Sequence, residues 1–261
     1  MTRRTNADVA IRATDLSIAR AGRAHAERVV DGVTFTIEHG DALAVMGSTG
    51  AGKSSLADVL AGRAEGGLAV VGGDAWVEGI RLRRPGRSQR LLTYITGYLR
   101  QSAGAALPAR LTVSEVIGEP ITSRDRHVNE RALAVRVATL LDELMLPLGA
   151  ASKYPYELSA GMRQRVAFAR ALVLQPKVFI ADEPFANMDV EVRVAARDAI
   201  DRRRDEYGMS TLVVTNEADV ARDLGAHIIV LRGGHVVAAG RDPDALLWSP
   251  SVDAEHRLIS T

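Results

Sequence analysis

The chain has no cysteine, three lysines among its 33 cationic side chains, 4% aromatic residues and almost no net charge. Without cysteine there is no disulfide, no thiolate metal site and no cysteine-held iron–sulfur cluster. Lys and Arg number 33 against 32 for Asp and Glu, so no global field draws the chain to nucleic acid or to an anionic membrane. No apolar run approaches the ~18 residues of a membrane-spanning helix. The opening MTRRTNADVA lacks the apolar core of a secretory signal. These exclusions predict a cytosolic protein whose attachment to a membrane, if any, is peripheral and needs a partner. The 261 residues, 47% hydrophobic and 25% charged, suit one large globular domain or a core with an insert. Scarcity also points to a site. Lys53, Lys153 and Lys177 stand in an arginine background, so each is a candidate for a position that needs a compact ammonium.

Patterning divides the chain. AIRATDLSIA, VVDGVTFTIEHGD and ALAVMG read as strands separated by turns. The glycine-rich GSTGAGKSS follows, then SSLADVLAGR with helical spacing. Leu68 to Gly79 reads as further strand and turn. From about Ser102 to Leu174 the period is helical, clearest in RALAVRVATLLDEL. KVFIADEP is an apolar run ending in two acids, and VEVRVAARDAIDRRRDEY is an arginine-rich amphipathic helix. TLVVT, HIIVLRGG and HVVAAG read as strands, and the segment from Arg241 is a short mixed tail. Strands alternating with helices predict a largely parallel sheet covered by helices, interrupted by a helical insert.

Gly47, Ser48, Thr49, Gly50, Ala51, Gly52, Lys53 and Ser54 match G-x-x-x-x-G-K-[ST] in full, with Ser55 next in line. In such a loop, glycines let backbone N–H groups converge on phosphate oxygens, backed by the N-terminus of the following helix. Lys53 would reach the β- and γ-phosphates and Ser54 would hold Mg²⁺. The alternative, a glycine turn that happens to precede a helix, leaves the lysine and the preceding strand unexplained. Asp182 and Glu183 end a buried strand at its carboxyl end, where sheet ligands bind. Asp182 would bind Mg²⁺, directly or through water, and Glu183 would polarise the attacking water. Their alternative reading is an acid pair that caps a helix.

Leu158-Ser159-Ala160-Gly161-Met162, between these two motifs, resembles the LSGGQ signature of the ATP-binding cassette (ABC) ATPases. The resemblance covers nearly the whole chain. It implies an α/β fold: a P-loop NTPase cassette with a RecA-like core, an antiparallel β subdomain and an α-helical subdomain. Residues 1–101 and about 172–240 would form the core and β subdomain, about 102–171 the helical subdomain, and 241–261 the tail. It implies ATP and Mg²⁺ as cofactors and a head-to-tail dimer in which Ser159 and Gly161 meet the γ-phosphate held by the partner's loop. Gln101 aligns with the glutamine that contacts Mg²⁺ or water and senses the membrane subunit. Ala186-Asn187-Met188-Asp189 aligns with the D-loop, with Asp189 crossing the dimer interface. LTVSEVIGEPI, YPYELSAGMRQRVAFARAL and IADEPFANMDVEV look like the peptide/nickel importer branch, although that branch's C-terminal extension is short here. The implied partners are integral-membrane permease subunits, a second cassette (a different subunit or a second copy) and, for an importer, a solute-binding protein, with no nucleic acid. The implied location is the cytoplasmic face of the membrane. A lipoprotein or drug exporter and a soluble, non-transport ABC ATPase are the rival readings.

Three departures stand out. Ala160 replaces the first signature glycine, a small cost if φ is negative there. No aromatic residue precedes Phe35 to stack on adenine, so His25 or the stem of Arg28 could stand in, or the base is held loosely. Asn216 occupies the place of the family's switch histidine. Its amide can donate a hydrogen bond but cannot carry charge, and its carbonyl would repel phosphate if it faced that way. With Lys53, Asp182 and Glu183 intact, the expectation is ATP binding with slow hydrolysis at this chain's own site. His227 and His235 read as strand-end residues without metal spacing.

Overall fold

The computed structural model describes residues 8–21, 27–125 and 127–249. His25 and residues 250–261 of the expected tail lie outside them. Two sheets organise the rest. The first is antiparallel, in the order β2 (Glu27–Glu38), β1 (Val9–Arg20), β4 (Leu68–Val77), β5 (Ile80–Arg81). Alternation of buried and exposed residues along β2 marks a sheet with one wet face.

The second sheet runs β11 (Leu247–Trp248), β10 (His235–Gly240), β9 (His227–Arg232), β3 (Ala42–Gly47), β8 (Ser210–Val214), β7 (Val178–Asp182), β6 (Thr96–Leu99). From β9 to β6 every pairing is parallel. Its inner strands are apolar on both sides because both faces are covered. Leu43, Val45, Ile180, Leu212 and Val214 join one core with α1 (Lys53–Leu60) and the first sheet. Ala42, Ala44, Phe179, Ala181 and Val213 join the other, with α5 (Ala160–Leu172) and α6 (Val190–Tyr207).

The insert contributes α3 (Val113–Thr122) and α4 (Glu130–Glu143) besides α5. Each start is written locally. Thr112 and Glu115 form a reciprocal capping box, and Asn129 and Ser159 accept the N–H groups of Ala132 and Met162. Val137, Leu140 and Leu141, on one stripe of α4, are buried in the same core as Phe168 of α5.

Four elements have no counterpart in the sequence reading: β5, α2 (Ser88–Ile95), β6 and a short helix over Ala218–Asp223. Only Leu92 of α2 is fully buried, and eight residues give few positions from which to read a period. Within the expected tail, Leu247 and Trp248 pair with Ala239 and Ala238 and extend the sheet.

Candidate functional site

The carboxyl ends of four parallel strands converge. Register sets Asp182 opposite Val214 and Val45 opposite Val214, while Leu99 lies opposite Ala181. The residues just beyond these ends are Gly47 with its loop, Glu183, Asn216 and Gln101, so chain topology alone gathers most of the expected site.

The loop from Gly47 to Gly52 needs its glycines for space. Gly47 has φ 138° and Gly52 has φ 100°. A Cβ on Gly47 would lie 2.1 Å from the Leu231 carbonyl, and one on Gly52 2.1 Å from the Val29 carbonyl. Gly52 caps α1 with no side-chain bond, so the first N–H groups of that helix keep their donor capacity. Lys53 is 9% exposed, and its ammonium donates to the carbonyls of Gly47 at 2.5 Å and Ser48 at 3.0 Å. Ser55 is buried and its hydroxyl accepts from Arg20 at 3.4 Å, so the Ser55 side chain is already engaged. The stem of Arg28, a candidate adenine support, ends in a guanidinium paired with Asp31 at 3.0 Å.

Asp182 is 3% exposed. Burial pushes its carboxyl above the ordinary carboxylate range; the Ser54 hydroxyl and the charge of Lys53 pull it back. Glu183 is raised too, by burial first and then by the charges of Asp182 and Glu217, against Lys53 and the backbone N–H of Asn216. Its backbone is held at φ 49° while its N–H donates to Val214 O at 2.9 Å, so the acid stands on a left-handed bend at the strand end. Gln101, Ser54 and Asp182 line one cleft of about 780 Å³ between the sheet edge and the helical insert.

The orientation of the Asn216 amide is set by the loop. Its Oδ1 accepts the N–H of Gly47 at 3.1 Å. A backbone N–H can meet only the oxygen, so this bond fixes which end of the amide faces the loop. The amide nitrogen is left as the outward donor.

Ser159 and Gly161 sit at the start of α5. Ser159 caps its own helix, and a Cβ on Gly161 would lie 2.6 Å from the Asn187 carbonyl. Among the described residues no hydrogen bond joins either to residues 47–55. Asp189 likewise caps α6 by accepting from Val192 at 3.0 Å. His227 and His235 open β9 and β10, as read. Sequence reasoning missed Gln164. It is 3% exposed, its Oε1 accepts from Gly104 at 3.4 Å and its Nε2 donates to Pro184 O at 3.5 Å. It thus ties the segment after Gln101 to the segment after Glu183. Only a glutamine amid the apolar positions of a helix signalled it.

The donor set suits a polyphosphate with a divalent cation: free helix-start amides and a buried ammonium for the anion, and a hydroxyl bonded to a buried carboxylate for the metal. A family model described as ABC transporter matches residues 30–186. The chain belongs to the ABC transporter family. Its ABC relatives include the oligopeptide transport ATP-binding protein OppD of Mycobacterium tuberculosis, 33% identical over 235 residues, which are 89% of this chain and 37% of that protein. OppF of Escherichia coli is 29% identical over 213 residues, 82% of this chain and 63% of that one. A putative peptide import ATP-binding protein of Brucella abortus is 29% identical over 254 residues, 97% and 74% of the two chains. The chain therefore spans just over a third of OppD and under two thirds of OppF. In fold it is similar to the ATP-binding cassette MJ0796, solved as a dimer in a post-hydrolysis state bound to ADP and Pi. That match has TM-score 0.79 and 24% identity over 88% of this chain and 98% of that one.

Proposed function

We propose that this chain is the ATP-binding and ATP-hydrolysing subunit of an ABC transporter, taking up peptides or a related small solute, and that it forms the slower nucleotide site of an asymmetric cassette pair. The observation that carries the reading is the convergence of the Gly47–Ser54 loop with Asp182 and Glu183 at the carboxyl ends of adjacent strands. The peptide assignment is supported by the names of the relatives, and the membrane assignment by the family.

Gly47 to Ser55 would cradle the phosphates through backbone N–H groups, with Lys53 supplying the compact positive charge. Ser54 and Asp182 would hold Mg²⁺, with Gln101 at the same cleft. Bound MgATP supplies the phosphoanhydride whose hydrolysis drives the cycle. Glu183 is the proton acceptor for water, and its raised pKa brings it closer to the operating pH of a general base. Asn216 presents an uncharged N–H donor where a histidine would offer a protonatable ring. Ser159 and Gly161, which among the described residues make no hydrogen bond to the chain's own loop, would complete the site of a second cassette, and that cassette's signature would complete this one.

The domain reading is part of the proposal: a core with β subdomain from residues 1–101 and about 172–240, a helical subdomain over about 102–171, and a tail from 241. The cleft beside Gln101 is where a permease would dock at the cytoplasmic face. Among the described residues no helix is long and apolar enough to cross a membrane.

The test is to purify the chain with what it binds in membranes and measure ATP turnover. Co-purification with integral membrane proteins, ATPase activity lost in Lys53→Ala, and a gain in Asn216→His are expected. Isolation without membrane partners would return the rival soluble ABC ATPase.

A further inference from the structure

The near-zero net charge conceals one region of a single sign. From Gly79 to Ser114 there is no acidic residue and there are seven arginines, in a chain that carries 32 acids. Five of them, Arg81, Arg83, Arg84, Arg87 and Arg90, lie within ten residues and are exposed. Arg81 is neutralised by Asp74, with both nitrogen–oxygen distances at 2.6 Å. Among the described residues Arg83, Arg84, Arg87 and Arg90 have no carboxylate within ion-pair distance. Arg81, Arg83 and Arg84 line an open groove of about 340 Å³.

The helix that follows continues the pattern. On α2, Leu92 is buried and Gln89 donates to the Gly62 carbonyl, which fixes the inner side. Positions 87, 90, 91 and 94 follow the i, i+3, i+4, i+7 spacing of one helix face. That face carries Arg87 and Arg90 beside Leu91, 53% exposed, and Tyr94, 48% exposed. The Arg124 guanidinium lies 5.8 Å from the Tyr94 ring, and Arg90 and Arg63 are the cations that act on Arg124. Unpaired arginines flanking an exposed leucine and tyrosine make the composition of an interfacial helix face.

We propose that this face, from Arg83 to Tyr94, binds the anionic headgroups of a membrane surface directly. Charge complementarity selects that partner. Cytoplasmic loops of membrane proteins carry an excess of Lys and Arg, so a permease loop would bring like charge to these arginines. The cytoplasmic leaflet carries negative charge that attracts them. The location agrees, since Thr93 and Arg124 border the same cleft as Gln101. The proposal rests on the transport reading for the choice of surface. It adds to that reading a lipid contact made by the cassette itself, beside any contact through a permease.

The test is flotation of the purified chain with vesicles of phosphatidylcholine alone and of equimolar phosphatidylcholine and phosphatidylglycerol. Binding to the anionic vesicles only, weakening steeply with added salt, is expected. Each arginine near an anionic surface is worth about fivefold in partition. The combined Arg83→Gln, Arg84→Gln, Arg87→Gln, Arg90→Gln variant should therefore lose roughly a hundredfold or more at low salt. The corresponding four Arg→Lys changes should keep most of the binding, because charge and not fork geometry is used. Leu91→Ala with Tyr94→Ala should lose several-fold. Equal binding to neutral vesicles, an unchanged Gln variant, or loss of binding in the Lys variant overturns the proposal. So does tighter binding of a duplex oligonucleotide than of the anionic vesicles, or a Gln variant that fails only to assemble with a permease. ATP affinity measured on the same preparations keeps the two readings separable: an intact ATP site with no vesicle binding removes this inference alone. Vesicle binding without ATP binding removes the cassette reading alone.

Discussion

The phosphate-loop side of the molecule and the signature side are built from the same device, a helix start that offers backbone N–H groups, yet the two are finished differently. At the loop, Gly52 caps α1 with no side chain, and Lys53, Ser54, Asp182 and Glu183 close in around the open amides. At the signature, Ser159 caps α5 itself and Gly161 packs against Asn187. One end carries nearly all the chemistry and the other carries only donors. Neither end completes a site by itself, whereas in the proposed head-to-tail pair the loop of one chain would meet the signature of the other. The teaching is that changes at the loop should act on this chain's own turnover, and changes at the signature should act on the partner's.

The largest effect belongs to Glu183. Replacing it with Gln removes the carboxylate that follows Asp182 at the strand end and leaves shape and backbone bonding intact. Turnover at this site should fall by roughly 10²–10⁴-fold, the usual contribution of a general base, with ATP affinity preserved. Single-turnover hydrolysis against equilibrium binding separates the two. Loss of both together would mean that Glu183 builds the loop.

Gly47→Ala comes next. The added Cβ meets the Leu231 carbonyl, at a φ that L side chains rarely adopt. Backbone strain of about 1–3 kcal/mol is expected, read as a lower melting temperature together with ATP binding weakened by tenfold or more. A variant that binds ATP normally would show that the loop tolerates a shifted strand β9.

Asp182 and Glu183 also set a stability trend in divalent-free buffer. Both carboxyls are raised in the folded state, so the folded chain holds more protons than the unfolded one as pH climbs above the ordinary carboxylate range. Stability therefore falls with rising pH through that window. Asp182→Asn should flatten the trend and melt higher than the parent at neutral pH, at the cost of metal binding. Melts at acid and neutral pH check the sign, and an Asn variant that melts lower would mean that the Ser54 contact outweighs burial.

On the signature side, Ser159→Ala removes a cap worth about 1 kcal/mol. The melting temperature should drop slightly, ATP affinity of the chain alone should stay unchanged, and ATPase of the assembled pair should fall. An altered affinity in the isolated chain would break the division between the two ends.

How much of this was legible follows from where each signal lives. The loop, the acidic strand and the helix starts are local, because spacing and capping chemistry are written in neighbouring residues. The sheet order was legible only as a class, since β6 has only four residues and α2 buries only Leu92. Gln164 was hidden because its importance lies in bridging Gly104 to Pro184, across 60 and 20 positions of chain. The arginine face was hidden for the opposite reason: averaging over 261 residues cancelled a local excess against acids elsewhere. The direction of the Asn216 amide could not be read at all, since it depends on an N–H that lies 169 positions away.

That amide supports the smallest and most discriminating set of changes. Asn216→Ala deletes the acceptor of the Gly47 N–H, but the site is open to solvent and water can replace it. A net loss of about 0.5–1.5 kcal/mol is the ceiling, read as at most about tenfold in ATP affinity. Asn216→Asp keeps the acceptor and adds a negative charge where the amide nitrogen now sits. It should weaken ATP more than ADP, because the extra phosphate charge is repelled. Asn216→His restores a protonatable donor, and turnover of the assembled complex should rise if this site is the slow one. If His gains nothing while Glu183→Gln abolishes turnover of the complex, the chain already runs at full speed with a neutral switch residue. The asymmetry would then have to be sought in the partner.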